Sequence, residues 1–341
     1  MIRKTFFILT ICMGLSVRAQ QKQLIACSVA FYNLENLFDT IPGANDTEYT
    51  PQGATQWNTL KYKSKLSNMA FTISKLGIEK GPVGPAFIGV SEIENRSVLE
   101  DLVKEPAIAS RNYQIVHYDS PDARGIDVGL LYNPKLFTFE ASQSRTLKLA
   151  DKPTFKTRDQ LVVRGRIFGE LFHVVVNHWP SRRGGEDNSS PLREAAARLT
   201  RTIVDSVQKA FPESKIIVMG DLNDDPFNKS LTDALRAVRD PKDATNGNLY
   251  NPFWAILDGG IGSLAYKGQW NLFDQIIIND KLIGKDRSTL KFWNAEVFNR
   301  DFLKQEEGQY KGYPKRTHAG GVWLNGYSDH FPTLIYLVKE K

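Results

Sequence analysis

The sequence predicts an α/β protein, and two observations carry that prediction. Short apolar runs rich in Ile and Val recur along the chain, at lengths that suit strands buried on both faces. Between them lie longer stretches whose apolar residues fall at helical spacing. A third observation bears on function: strand after strand ends in an acid, an amide or an imidazole. Of 341 residues, 41% are hydrophobic and 24% charged, an ordinary globular composition that supports a sizeable core. No internal repeat or low-complexity tract divides the chain, so residues 20–341 read as one domain.

Residues 1–19 read as a secretory signal peptide. Arg3 and Lys4 supply a positive start, Thr5 to Val17 is apolar but too short to span a bilayer, and Val17-Arg18-Ala19 is a small-residue cleavage site. Leu24-Ile25-Ala26-Cys27 is an alternative lipid-attachment box, but the polar run 18–23 separates it from the apolar segment. The expected location is therefore secreted or periplasmic. No later run is long enough to cross a membrane. Cleavage removes Arg3, Lys4 and Arg18 and no acid, so the formal charge of +6 falls to about +3. A charge that small does not announce nucleic-acid binding. Cys27 is left as the single cysteine, which excludes an intrachain disulfide.

Leu24 to Phe38 reads as a strand running into Asn33, Glu35 and Asn36, and Leu60 to Leu76 as an amphipathic helix ended by Gly77. Ala86 to Val90 is a second buried strand, delivering Glu92 and Glu94. A carboxylate at such a place is costly to bury without a cation, so Glu92 is the leading metal ligand. Val98 to Val103 is helical. Arg124 and Asp127 flank the start of a strand over Val128 to Tyr132, where a surface ion pair is the plainer alternative. Leu171 to Val176 delivers Asn177 and His178. A helix is expected to open with Ser190 as cap and Pro191 at its first position, with Leu192, Ala196, Leu199, Ile203, Val207 and Ala210 buried and Arg193, Arg198 and Arg201 solvated.

The central stretch is Lys215 to Pro226, KIIVMGDLNDDP. Its apolar run suits a strand, and it delivers Asp221, Asn223, Asp224 and Asp225 at one end. A solvated turn is the plain alternative. A calcium loop of EF-hand type is excluded, because Pro226 and Thr232 stand where Gly and Glu are required. Further on, Ser230 to Val238 reads as a short helix. Gln269 to Asn279 reads as one strand with Asp274 among apolar residues, where it needs a hydrogen-bond donor. Asp329 and His330 precede a last strand, Thr333 to Val338.

There is no Walker loop, HExxH, CxxC or nucleophile elbow. Oxygen ligands with two imidazoles suit Mg²⁺, with Mn²⁺ or Ca²⁺ as alternatives, over zinc. Metal, His and Asp without a nucleophilic Ser or Cys point to hydrolysis by activated water, and to phosphoester cleavage.

In their order along the chain, FYNLENLFD, GVSEIEN, RGIDVGLLY, VVNHWPSR, VMGDLNDDP, LFDQIIIN and GYSDHFP resemble the endonuclease/exonuclease/phosphatase superfamily. The resemblance runs from about Leu24 to the C-terminus. It implies a four-layer α/β sandwich, two mixed β-sheets packed face to face with helices outside; the strand and helix pattern agrees with that architecture without specifying it. It also implies roles. Glu92, Asn33 and Asp329 would hold or adjoin the metal. His330 would act on the attacking water with Asp274 orienting its ring. Asp221 and Asn223 would position water and phosphate. His178 would contact the phosphate or protonate the leaving oxygen, with Asp127 as its acid partner. Asn177 and Arg124 would bind substrate. The expected function is a secreted, divalent-metal-dependent phosphodiesterase, foremost a nuclease with nucleic acid as substrate and no obligate protein partner. The alternatives are hydrolysis of a phospholipid headgroup or phosphorylated small molecule, for which Asn251 to Leu257 could be an exposed apolar loop, and a non-catalytic binding protein on the same scaffold.

Overall fold

The computed structural model describes residues 23–43, 48–81 and 83–341; the expected signal peptide lies outside them. The strands are β1 (Leu24–Leu37), β2 (Phe87–Ile93), β3 (Gln114–His117), β4 (Asp127–Tyr132), β5 (Phe137–Arg145), β6 (Gln160–Ile167), β7 (Glu170–His178), β8 (Lys215–Asp221), β9 (Ala237–Val238), β10 (Leu249–Tyr250), β11 (Leu264–Tyr266), β12 (Gln269–Asn271), β13 (Asp274–Ile278), β14 (Lys291–Val297), β15 (His318–Ala319), β16 (Val322–Trp323) and β17 (Thr333–Glu340). The helices are α1 (Thr59–Lys75), α2 (Arg96–Lys104), α3 (Glu186–Ala210) and α4 (Phe253–Asp258). Among the described residues no helix is long and apolar enough to cross a membrane.

Two mixed sheets form the centre. One has the order β14-β17-β1-β2-β4-β3 and the other β5-β6-β7-β8-β13-β10-β9. The central strands bury both faces, and their side chains divide between two cores with the period of two that a strand dictates. In β8, Ile217 and Met219 join the core shared with the first sheet, while Ile216 and Val218 join the core under α3. β7 divides the same way, with Val174 and Val176 against Val175, and β13 with Ile276 and Ile278 against Ile277. Leu66, Met69 and Ile73 of α1 and Val98, Leu99 and Leu102 of α2 cover the first sheet. The four-layer α/β sandwich follows.

Several local expectations fail; Ala210 is exposed, and Ala237 and Val238 form β9 rather than the end of a helix. Helix α3 starts at Glu186, so Pro191 lies inside it. Glu186 and Asp187 in the first turn favour the positive end of the helix, and the Ser189 hydroxyl donates to the carbonyl of Gly185 at 2.7 Å. Arg193 and Arg201 are buried rather than solvated. Arg193 Nε lies 2.7 Å from Asp224 Oδ1 and Nη2 3.0 Å from Glu186 Oε1, the pairing a buried cation requires. Gln269 to Asn279 is not one strand. Leu272 N donates to Asp225 Oδ1 at 2.7 Å, and the chain passes there from the β11–β12 hairpin into the second sheet.

Candidate active site

The register of the second sheet sets three functional side chains in a row. His178 of β7 stands opposite Asp221 of β8, and Asp221 stands opposite Asp274 of β13. Gly220 makes this possible, since a Cβ there would lie 2.3 Å from the carbonyl oxygen of Asn177. The first sheet closes over the row. Asn33 of β1 donates from Nδ2 to Asp221 Oδ2 at 3.0 Å, across 188 residues of sequence. β1 and β2 pair in parallel with a register shift after Asn33. Glu35, Asn36 and Glu92 take left-handed backbone conformations there, with φ of 45°, 51° and 58°. Such conformations in non-glycine residues gather at functional sites.

The last loop adds the imidazole. His330 Nδ1 donates to Asp274 Oδ2 at 2.6 Å, and its Nε2 lies 4.0 Å from Asp221 Oδ2. Asp274 also accepts from the Ser263 hydroxyl at 2.5 Å. Burial alone would lower the His330 pKa, but Asp274, Asp221 and Asp329 together hold it well above the usual imidazole value. Burial raises Asp221 to about 7; the charge of His330 opposes this, and Asp274 and Glu92 add to it.

His178 Nε2 lies 3.5 Å from Asp221 Oδ2 and 3.9 Å from Glu92 Oε1. Its expected partner is elsewhere. Asp127 accepts from His117 Nε2 at 2.9 Å and from Ser120 N and Oγ, because β3 runs beside β4 and carries His117 to it. Nδ1 of His178 is buried with no partner. Burial first, then Arg158, Arg124 and His330, push its pKa well below the usual value. The ring is neutral, and the carboxylates facing Nε2 favour the tautomer that donates from that atom.

Of the other expected residues, Asn177 is the one placed away from its assigned role. Asn177 is fully buried and spent internally: Nδ2 donates to Val175 O and Met219 O, and Oδ1 accepts from Trp179 Nε1 and Thr200 Oγ1. It supports the strand end and cannot reach a substrate. Asn33 Oδ1 accepts from Glu35 N at 2.8 Å, which turns the amide NH₂ toward Asp221. Asn223 N donates to Asp221 Oδ1 and its Nδ2 to Trp179 O. Arg124 donates to Glu92 Oε1 at 3.4 Å and to Asn36 Oδ1. Asp329 pairs with Arg316, whose Nε lies 3.5 Å from Glu35 Oε1.

Several supporting residues carried no sequence signal of their role. Arg158 links Asp122 to the carbonyls of His178 and Trp179. Lys65 of α1 is buried and donates to Thr317 Oγ1 and Tyr327 O, pinning the loop before Asp329. Arg182 binds Asn223 O and Asp224 Oδ1, so it stiffens the Asp221 loop. A run of helical or strand periodicity cannot reveal such long-range partners.

The donor set fits a divalent cation. Glu92 and Asp221 gather as partly or wholly buried carboxylates, and burial, with Asp274 and Glu92 nearby, raises the pKa of Asp221. Asp221, Asp274 and His330 also offer ligand atoms within 4.8 Å of one another, though Asp274 Oδ2 is already shared by His330 and Ser263. A second trio, His117, Asp119 and Asp127, meets the same distance, with Asp127 spent as described above.

Fold and site together define a phosphoric-ester hydrolase scaffold. The chain belongs to the endonuclease/exonuclease/phosphatase family, whose model matches residues 28–339; members of that family are metal-dependent phosphoric ester hydrolases. Among solved structures it is similar to truncated Caenorhabditis elegans TDP2, with 16% identity over 92% of this chain and 97% of the other and a TM-score of 0.53. It is similar to an endonuclease/exonuclease/phosphatase family protein from Bacteroides thetaiotaomicron, with 14% identity over 94% and 97% and a TM-score of 0.53. It is also similar to D. rerio TDP2 complexed with a single-strand DNA product, with 15% identity over 92% and 98% and a TM-score of 0.51. At these identities the likeness speaks to the fold. No curated protein sequence matches.

Proposed function

We propose that the protein is a divalent-metal-dependent phosphodiesterase that cleaves nucleic acid by attack of water. The observation that carries this reading is the His330–Asp274 pair at 2.6 Å, set beside the buried carboxylate of Asp221 and across from Glu92. Asp274 fixes the ring so that Nε2 faces the site, and in the ring's neutral form Nε2 takes the proton of the attacking water. Asp221 orients that water. His178, held neutral, donates from Nε2 to a phosphate oxygen, the first of the two roles expected of it. Arg124 meets a further phosphate oxygen. Glu92, with Asp221 or Asp329, would hold a cation such as Mg²⁺. When bound, that cation supplies charge neutralisation at the phosphate and the leaving oxygen.

The nucleic-acid choice is supported by the family and by the DNA product named with one structural relative. The lipid alternative loses its proposed loop: residues 253–258 form α4, with Phe253 fully buried. The N-terminal signal pattern supports export, with Gln20 as the first mature residue.

The test is incubation of the purified protein with plasmid DNA and with RNA in Mg²⁺, Mn²⁺ or Ca²⁺. Cleavage that EDTA abolishes is expected. Intact DNA and RNA in all three metals, with hydrolysis of a phospholipid or sugar phosphate instead, would overturn the nuclease assignment.

A further inference from the structure

Beside the site runs a row of aromatic rings that the hydrolytic chemistry does not use. It starts at Phe331, the residue after His330. Trp270 of β12 lies nearly parallel to Phe331, with centroids 6.0 Å apart and planes at 18°. Tyr313 meets Trp270 at 5.6 Å and 60°, and Tyr310 meets Tyr313 at 5.7 Å and 48°. The tilts leave ring faces open: Trp270 is 36% and Tyr310 56% exposed.

The row is fixed to the catalytic pair. Phe331 N donates to Ser263 O at 2.7 Å, and Ser263 Oγ donates to Asp274. The segment 304–316 that carries the tyrosines is itself folded back: Gln305 N donates to Tyr313 O, Gly312 N to Gln305 O and Lys315 N to Leu303 O, at 2.7–2.8 Å. It ends at Arg316, whose side chain is 45% exposed while Asp329 and Glu35 hold it beside the site.

We propose that Trp270, Tyr313 and Tyr310 form a track for an unpaired nucleic-acid strand. Successive bases stack on the rings, and Arg316 meets the phosphate next to the one being cleaved. This rests on the phosphodiesterase assignment and narrows its substrate to single strands. The composition of the segment argues for bases over a membrane. KQEEGQYKGYPKR holds no Leu, Ile, Val, Met or Phe, and the Glu306 side chain is 81% exposed; a surface that enters lipid needs aliphatic area and tolerates acids poorly. Stacking is tolerant of base identity, because every base has a π-face. A duplex would hide those faces.

The experiment measures fluorescence anisotropy of a labelled dT10 strand, an all-abasic strand of equal length and a dT10·dA10 duplex. The protein is the full chain carrying His330→Ala, in Mg²⁺, so that turnover is slow beside the binding measurement. The expected result is binding of dT10 about tenfold tighter than either comparator. Replacing both tyrosines by Ala brings dT10 to the level of the abasic strand, and replacing both by Phe retains the tight binding. Equal affinity for dT10 and the abasic strand overturns the track, as does an equal loss with Ala and with Phe. If neither strand binds while the native protein hydrolyses bis(p-nitrophenyl) phosphate, the track fails and the diesterase assignment stands. Base-dependent binding by a protein that hydrolyses no diester leaves the track standing and removes the diesterase.

Discussion

Glu92 lies in β2 and His330 in the loop before β17, and they do different work, so their substitutions separate. His330→Ala removes the group that takes the proton and should lower the turnover of DNA about a hundredfold or more. Glu92→Ala should lower it as far, and excess Mg²⁺ should restore part of that loss but none of the His330 loss. A metal titration of both variants checks this. Asp274→Asn keeps the shape and removes the charge that holds the ring; turnover should fall and its pH dependence should move acidward, since the imidazole loses its chief source of raised pKa. Glu92, Asp221 and His330 stand out in the sequence because each borders an apolar run, and the family resemblance, not the run, sets them above a solvated turn. The partnership of Asp127 with His178 came from the family resemblance, and the strand pairing shows that its neighbour is His117. Ser263 lies in an irregular stretch with no such marker.

At the scale of elements, β7 and β8 come together closely where His178 and Asp221 emerge. Gly220→Ala puts a methyl against the backbone of Asn177. It should destabilise the protein by about 1–3 kcal/mol and lower turnover by more than that loss explains, read by urea unfolding beside the DNA assay. Arg193→Met strands Asp224 in the core with only Arg182 and Ser230 as partners; the expected cost is about 3 kcal/mol. His173 of β7 gives a pH test away from the metal. Burial, then Arg164, lowers its pKa to about 4. The folded state therefore resists a proton that the unfolded chain accepts near pH 6.5. Stability is full above that value and falls as pH drops toward 4. A His173→Gln variant should lose less melting temperature over that window than the native protein. The strands were legible from their apolar runs. The start of α3 was not, because Ser190-Pro191 carries the usual opening signal while the helix already runs from Glu186.

For the molecule as a whole, sequence periodicity yields strands but not their neighbours. Neither sheet order nor the facing of two sheets can be read from runs of Ile and Val, since β1 pairs with β17 from the far end of the chain. The family resemblance supplied the architecture, and the two alternating cores show the physical reason it holds together. Export is an expectation at this scale. N-terminal sequencing of protein recovered from outside the cytoplasm should begin at Gln20; retention of Met1 on a protein found inside would remove it.

The pairing of β1 with β17 has a bearing on when the site is completed. Asn33 lies in β1 and His330 just before β17, so the two meet only after the whole stretch between them has been made. A stalled or clipped product lacks both the imidazole and the partner that seats the opening strand. Incomplete copies thus lack the assembled site, which closes only when β17 joins β1.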